Sequence, residues 1–431
     1  MRGLSDRERR FWHISAAGIF FQGGAAAVDT STIIASLVHF LTGGSAFAVG
    51  TAAAIARFGW LSPQLPVAYF AQNRARRLPL YMAGAFGRAA CLVALAAVAW
   101  AAAPSAGWST IALFFAIWTV YAFVSGIVAV PYNDIVARSI ASDRRSRMLA
   151  LRFFGGGLLA LAVASVAHRL LAALPLPRAY AAVLLLGAVL LFLSAVSFVI
   201  VGEPTGALAS RAGGFADFLR NGVQVLQDDR RFRLFVHAQW LGGAATLALP
   251  FYVLLANAPA SEVAVLLAAQ TTGALASNPL WGWWGDRLGK RSLLEVTAAL
   301  GAIAPLLALF WIAGFESWSG LALPYFALVF ALLGAVGNGG TIAQLGYLME
   351  ISPDERRPAY SGYFNALVAP VTLLPMAAGA VAQAADSLTA IFAFSGIAAA
   401  GQFLIVRRLC ALANGATDVD TGSSQAPQGH R

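Results

Sequence analysis

The sequence predicts an all-α integral membrane protein with twelve transmembrane helices in two six-helix repeats. Three observations carry this. Hydrophobic residues make up 59% of the 431 residues and charged residues 11%, where a soluble domain carries about a quarter. Apolar runs near the ~20 residues that cross a bilayer as a helix recur along the chain. Short arginine clusters punctuate those runs at alternate breaks.

Breaks at Gly, Pro and charge clusters place six spans at 13–41, 45–71, 78–103, 107–137, 148–172 and 179–201. Six more fall at 233–257, 261–284, 292–314, 320–349, 359–384 and 387–408. The least distinct outer turns are Thr42–Ser45 and the stretch near Asp386. Helices are the expected state, because lipid leaves exposed irregular backbone without hydrogen-bond partners. A charged segment, residues 1–10, precedes the apolar run Phe11–Leu41, which is too long for a signal peptide and reads as a retained first helix.

The cations set the orientation. Arg74, Arg76, Arg77, Arg138, Arg144, Arg145, Arg147, Arg211, Arg220, Arg230, Arg231, Arg287, Lys290, Arg291, Arg356 and Arg357 fall on one side, whereas the opposite loops hold only Arg169 and Arg178. The positive-inside rule then puts both termini in the cytosol of a multi-pass protein of a bacterial inner membrane. The net charge of +10 lies in short clusters between apolar runs rather than along one face, which excludes nucleic acid as partner.

The two sets of spans echo each other. Ile140-Ala141-Ser142-Asp143-Arg144-Arg145 aligns without gaps with Ile351-Ser352-Pro353-Asp354-Glu355-Arg356, and Phe153 then falls on Phe364. Ser62-Pro63 likewise echoes Asn278-Pro279. The expected divisions are an N-terminal half at 1–201, a linker at 202–232, a C-terminal half at 233–410 and a disordered polar tail at 411–431. In the linker, Phe215, Phe218, Leu219, Gly222, Val223 and Leu226 share one helical face, which predicts a helix on the inner membrane surface.

Between spans eight and nine stands Gly282-Trp283-Trp284-Gly285-Asp286-Arg287-Leu288-Gly289-Lys290-Arg291. Its glycines suit a tight cytosolic bend, and its cations stay in water. The string resembles the loop signature of the major facilitator superfamily, with Gly282, Asp286, Arg287, Gly289, Lys290 and Arg291 at the defining positions. The resemblance covers roughly residues 11–409. It implies two parallel six-helix repeats that rock about a central solute site. It also implies an inner gate in which Asp286 faces the start of span five, near Arg147 and Met148. The corresponding first-half segment, Phe70 to Arg77, keeps cations and has Asn73 but no Asp.

Charges inside spans are functional candidates because burying them is costly. Asp29 in span one and Arg57 in span two each lie about 18 Å from the outer ends of their helices, and Arg88 in span three lies about 15 Å from the inner side. Asp29 and Arg57 are therefore expected to meet, either as a structural pair or with Asp29 as a proton-coupling acid. One acid against two arginines leaves a spare positive charge, which an anionic substrate or a second buried acid would balance. Gln22, Gln270 and Asn338 are the preferred polar cavity candidates. Gln64, His237, Gln239, Asn278, Gln344 and Asn365 are further ones, and each serves equally as an interhelical hydrogen bond.

Span two, Arg57 through Pro63, also resembles melibiose-type sugar:cation symporters, but Trp60 and Ser62 stand where their two acids would be. Span five lacks the Gly-Pro-Gly-Gly pattern of drug:proton antiporters. Cys91 and Cys410 form no disulfide framework or metal spacing. No metal, cofactor or enzyme signature is visible. The expected function is a monomeric secondary transporter for a small solute, by symport or antiport, with protons as the candidate coupling ion. The rival is a non-transporting receptor or assembly factor on the same fold.

Overall fold

A computed structural model describes residues 6–72, 76–102, 107–204, 214–314, 320–352 and 357–422. All regular structure among them is helical. Asn73, Arg74, Arg211, Arg356 and most of the second repeat's loop lie outside the described residues.

Helix α1 (Asp6–Ala26) and α2 (Ile33–Leu41) are two pieces, not the single span expected at 13–41. The break has a local cause. Oδ1 of Asp29 accepts hydrogen bonds from the Ser31 amide, the Ser31 hydroxyl and the Thr32 hydroxyl. Such side chains compete with the helical ladder for the backbone. Gly43 and Gly44, with φ of 64° and 99°, then turn the chain into α3 (Ala46–Leu61), whose Ser45 cap accepts from the Ala48 amide. Pro63, which has no amide hydrogen to give, separates α3 from α4 (Gln64–Gln72).

Next come α5 (Leu78–Ala101), α6 (Trp108–Ser139), α7 (Ser142–Ala173) and α8 (Arg178–Val199), long rods without comparable breaks. Helix α9 (Phe215–Asp228) fills the expected linker position. Asp229 caps α10 (Arg230–Ala245) by accepting from the Phe232 amide. A 3-10 turn at Thr246–Phe251 leads to α11 (Tyr252–Ala256). Then follow α12 (Ala260–Arg287), α13 (Gly289–Leu300), α14 (Ile303–Gly314) and α15 (Ala322–Ile351). The chain continues through α16 (Arg357–Val368), a 3-10 turn at Ala369–Leu373 and α17 (Leu374–Ala385) to α18 (Thr389–Gly422).

Among the described residues, nine helical segments are long and apolar enough to cross a membrane. The other spans expected from the sequence are the interrupted ones, α1–α2 and α3–α4, and α12, whose polar Gln270, Asn278 and charged end dilute its hydropathy.

The string 282–291 makes a tight bend, as expected, and the helices run further into it than the expected span limits: α12 continues to Arg287, Leu288 alone intervenes, and α13 starts at Gly289. Gly289, at φ 86°, makes the turn, and Gly282 is mid-helix with open space where a Cβ would stand. The tail expected to be disordered from 411 stays helical through Gly422, because Ala411, Leu412 and Ala413 are good helix formers and no proline intervenes.

Close packing joins the early helices to the late ones. The backbone of Gly50 in α3 abuts the Pro375 carbonyl in α17, and Gly379 abuts Ala46 and Phe47. Gln383 accepts from the Ser45 hydroxyl at 2.7 Å and from the Phe47 amide at 3.2 Å. His168 of α7 lies 2.9 Å from the Ser261 carbonyl of α12. All of these contacts are at the arginine-poor ends of the helices. Toward the arginine-rich ends, Asn365 donates to Gln64 at 3.0 Å.

Candidate functional site

A cavity of about 140 Å³ opens among α1, α3, α5, α6, α7 and α8. Phe21, Tyr81, Tyr132 and Trp60 supply aromatic walls, and Arg88, Arg152, Asn133 and Ser194 supply polar groups. Two of the lining side chains are cations, and none is a carboxylate.

Arg88 is 2% exposed. Its guanidinium carbon lies 4.8 Å from the centre of the Phe21 ring, and its Nε has no hydrogen-bond partner. Among the described residues it makes no ion pair. Arg152 comes from α7. Its stem crosses α1 at Gly18, its Nη1 donates to the Tyr132 hydroxyl at 3.0 Å, and its Nε is also unpartnered. Its guanidinium lies 5.7 Å from Phe21 and 5.0 Å from Tyr132. The aromatic faces attract both cations but carry no compensating charge. A buried unpaired ion costs several kcal/mol, so this arrangement favours an anion in the cavity.

The expected Asp29–Arg57 ion pair is absent among the described residues. Asp29 instead turns onto its own backbone, where three local donors satisfy one oxygen. Ser31 then reaches Gln270 of α12 at 3.1 Å, which links Asp29 indirectly to the later helices. Arg57 has an exposed side chain. It lies two turns from Gly50, on the face of α3 that meets α17. Neither residue joins Arg88.

The remaining candidates are dispersed. Gln22 of α1 packs against Gly156 of α7. Asn338 donates to Asn278 at 2.7 Å and to the Ala274 carbonyl at 3.2 Å, tying α15 to α12. The Asn338 contacts are interhelical hydrogen bonds, and Gln22, Gln270 and Asn338 do not line the cavity.

At the arginine-rich ends, Asp286 is 80% exposed and pairs with Lys290 at 3.1 Å within its own turn. Among the described residues no hydrogen bond or ion pair links it to α7. Arg291 pairs with Glu350 at 3.1 Å. The ends of α5, α6 and α8 carry a denser network that sequence reading missed. Arg77 and Arg138 both pair with Asp134, and Arg138 pairs with Glu203 at 2.7 Å. Glu203 also accepts from the backbone amides of Arg77 and Leu78, which begin α5. Burial alone would raise the Glu203 carboxyl, but the two amides and Arg138 outweigh it and hold the pKa below the ordinary value.

Comparison with known proteins agrees with this fold. Residues 234–424 match the family model of the Major Facilitator Superfamily. Proteins of Mycobacterium tuberculosis and Mycobacterium bovis, both of uncharacterised function, are 25% identical over 313 residues, 70% of this chain. The chain spans 59% of the length of these relatives. Among solved structures, the nucleoside transporter NupG has a TM-score of 0.65 at 13% identity, covering 95% of this chain and 99% of its own. A POT family transporter in complex with 5-aminolevulinic acid gives 0.69 at 9% identity, covering 93% and 95%. The xylose transporter XylE from E. coli gives 0.67 at 13% identity, covering 94% and 98%. Residues 234–424 are thus similar to the Major Facilitator Superfamily, and the chain as a whole shares the fold of these solved structures.

Proposed function

We propose that this protein is a secondary active transporter that moves a small anionic solute across a bacterial inner membrane by alternating access. In this reading α1–α2, α3–α4, α10–α11, α13–α14 and α16–α17 each form one interrupted span. With α5, α6, α7, α8, α12, α15 and α18 they make twelve, in halves at 1–201 and 233–410 with cytosolic termini. Helix α9 lies on the inner membrane surface.

The observation that carries the proposal is Arg88, 2% exposed and without an ion pair among the described residues, beside Arg152 in a cavity with no acid among its described lining residues. A receptor or assembly factor has no need of a desolvated, unmatched cation at this depth. The contacts at the arginine-poor ends, together with an Asp286 disengaged from α7, support an inward-facing state. Asp29 is the candidate coupling acid.

Reconstitution into liposomes tests this. Wild-type protein should take up labelled small anions, faster with an imposed proton gradient, and Arg88→Gln should not. Folded protein that moves no class of anion would overturn the transporter reading in favour of the receptor.

A further inference from the structure

The cavity's charge and hydrogen-bonding pattern specify its ligand more narrowly. Resting on the reading of this cavity as the solute site, we infer that it takes a compact dianion, such as a dicarboxylate, a phosphate monoester or sulfate. It holds this ligand within the first six-span half alone.

The first argument is charge balance. Arg88 and Arg152 are both arginines, the cationic side chain that stays charged at neutral pH, and both guanidinium carbons lie within 6 Å of the same Phe21 ring, at 4.8 and 5.7 Å. No lining residue is acidic, and the lining tyrosines are neutral phenols near neutral pH. A monoanion leaves one of the two charges unmatched. A dianion matches both.

The second argument is donor accounting. Arg88 has no hydrogen-bond acceptor among the described residues, and the Nε of Arg152 has none. Tyr132 accepts from Arg152, so its own hydroxyl proton remains to be donated. Ser194 spends its proton on the Ala17 carbonyl at 2.7 Å. The unspent groups around the cavity are therefore chiefly donors, and the ligand that satisfies them is rich in acceptors, as carboxylates, phosphates and sulfate are. Aromatic walls keep water from screening the charges and leave the two guanidiniums few alternatives.

Thermal unfolding of the purified full chain, at constant ionic strength, tests this without needing transport, because ligands that bind the folded state raise its stability by mass action. Methyl phosphate and methanesulfonate have similar shapes but carry two charges and one near neutral pH. Methyl phosphate should bind at least roughly tenfold more tightly. Succinate against its monomethyl ester supplies the carboxylate arm, and whichever pair shows the larger effect identifies the headgroup. As pH falls through about 6, methyl phosphate loses its second charge and should weaken, whereas sulfate, which stays doubly charged, should not.

Arg88→Gln and Arg152→Gln should each abolish the preference for two charges. If either variant fails to fold, Tyr132→Phe should weaken every anion while keeping that preference. Equal binding of methyl phosphate and methanesulfonate would overturn the inference. So would sulfate weakening in parallel with methyl phosphate, or dianion binding that survives the arginine substitutions. Dianion binding without uptake would instead overturn the transporter reading and leave this site standing.

Discussion

Gly18 of α1 lies directly against the stem of Arg152. A Cβ added there would stand 2.5 Å from Arg152 Cγ and 3.1 Å from its Cβ. These atoms are near the backbone, so the side chain cannot swing clear at its tip and the whole stem must shift. Gly18→Ala should therefore displace the Arg152 guanidinium without removing its charge. Anion affinity is expected to drop several-fold, the size of effect that follows from a sub-ångström misplacement of a polar contact. Isothermal titration on Gly18→Ala and wild type checks this, and unchanged affinity would mean that Arg152 does not bind the ligand.

Ser31 bridges Asp29 and Gln270. It has one hydroxyl proton and lies 2.6 Å from Asp29 Oδ1 and 3.1 Å from the Gln270 amide. That proton lies between Asp29 Oδ1 and Gln270 Oε1, both of which accept from the Ser31 hydroxyl. Gln270→Leu should remove the bridge and shift the population toward the outward-facing state. A double-mutant cycle with Ser31→Ala should give a coupling on the order of 0.5–1.5 kcal/mol. Distances between spin labels on the outer ends of α2 and α12 would report the shift, and additive effects would show that the bridge carries no coupling.

Among the described residues, Asp286 pairs with Lys290 alone. In the outward-facing state it is expected to reach the start of α7, where a carboxylate is worth on the order of 0.3–2 kcal/mol against free amides and the helix dipole. Asp286→Asn should favour the inward-facing state far more than Asn73→Ala does. Accessibility of cysteines placed at the arginine-rich ends measures the difference, and equal effects would remove Asp286 from the gate.

Glu203 ties the start of α5 to the end of α6 through Arg138 and two backbone amides. Its folded-state pKa is held below the ordinary 4.5. The stability it contributes is therefore present above 4.5 and is lost as pH falls below that value, through the folded pKa. Glu203→Gln should cost about 1.5–3 kcal/mol at neutral pH and flatten the acid limb of a stability profile. Denaturant midpoints measured across that range would show it, and an unchanged acid limb would assign the acid sensitivity to another group.

Much of this fold is legible in the sequence because membrane spanning leaves few options: long apolar runs, arginines at alternate breaks, and glycines where Gly43 and Gly44 must turn. The periodicity of Phe215 to Leu226 likewise reads as a helix, and α9 is there. What the sequence hides is where side chains spend their hydrogen bonds. Asp29 has the right depth to meet Arg57, yet Ser31 and Thr32 satisfy it locally and unwind the helix. Arg88 stands out as a charge deep inside a span. Its companion Arg152 does not, because it lies only five residues beyond Arg147, where loop cations are expected. The apolar residues on both sides of it, Leu151, Phe153 and Phe154, were the available signal. Asp134 and Glu203 read as loop-edge acids, and their joint grip on Arg138 appears only when α6 and the end of α8 converge.

The most direct test of the central claim is anomalous diffraction from crystals of the protein soaked in selenate, a dianion with a strong scatterer. The account predicts a peak in the first-half cavity, within hydrogen-bonding reach of Arg88, Arg152 and the Tyr132 hydroxyl, and its loss in Arg88→Gln crystals. A peak confined to the surface cations, or the same cavity peak in Arg88→Gln, would contradict it.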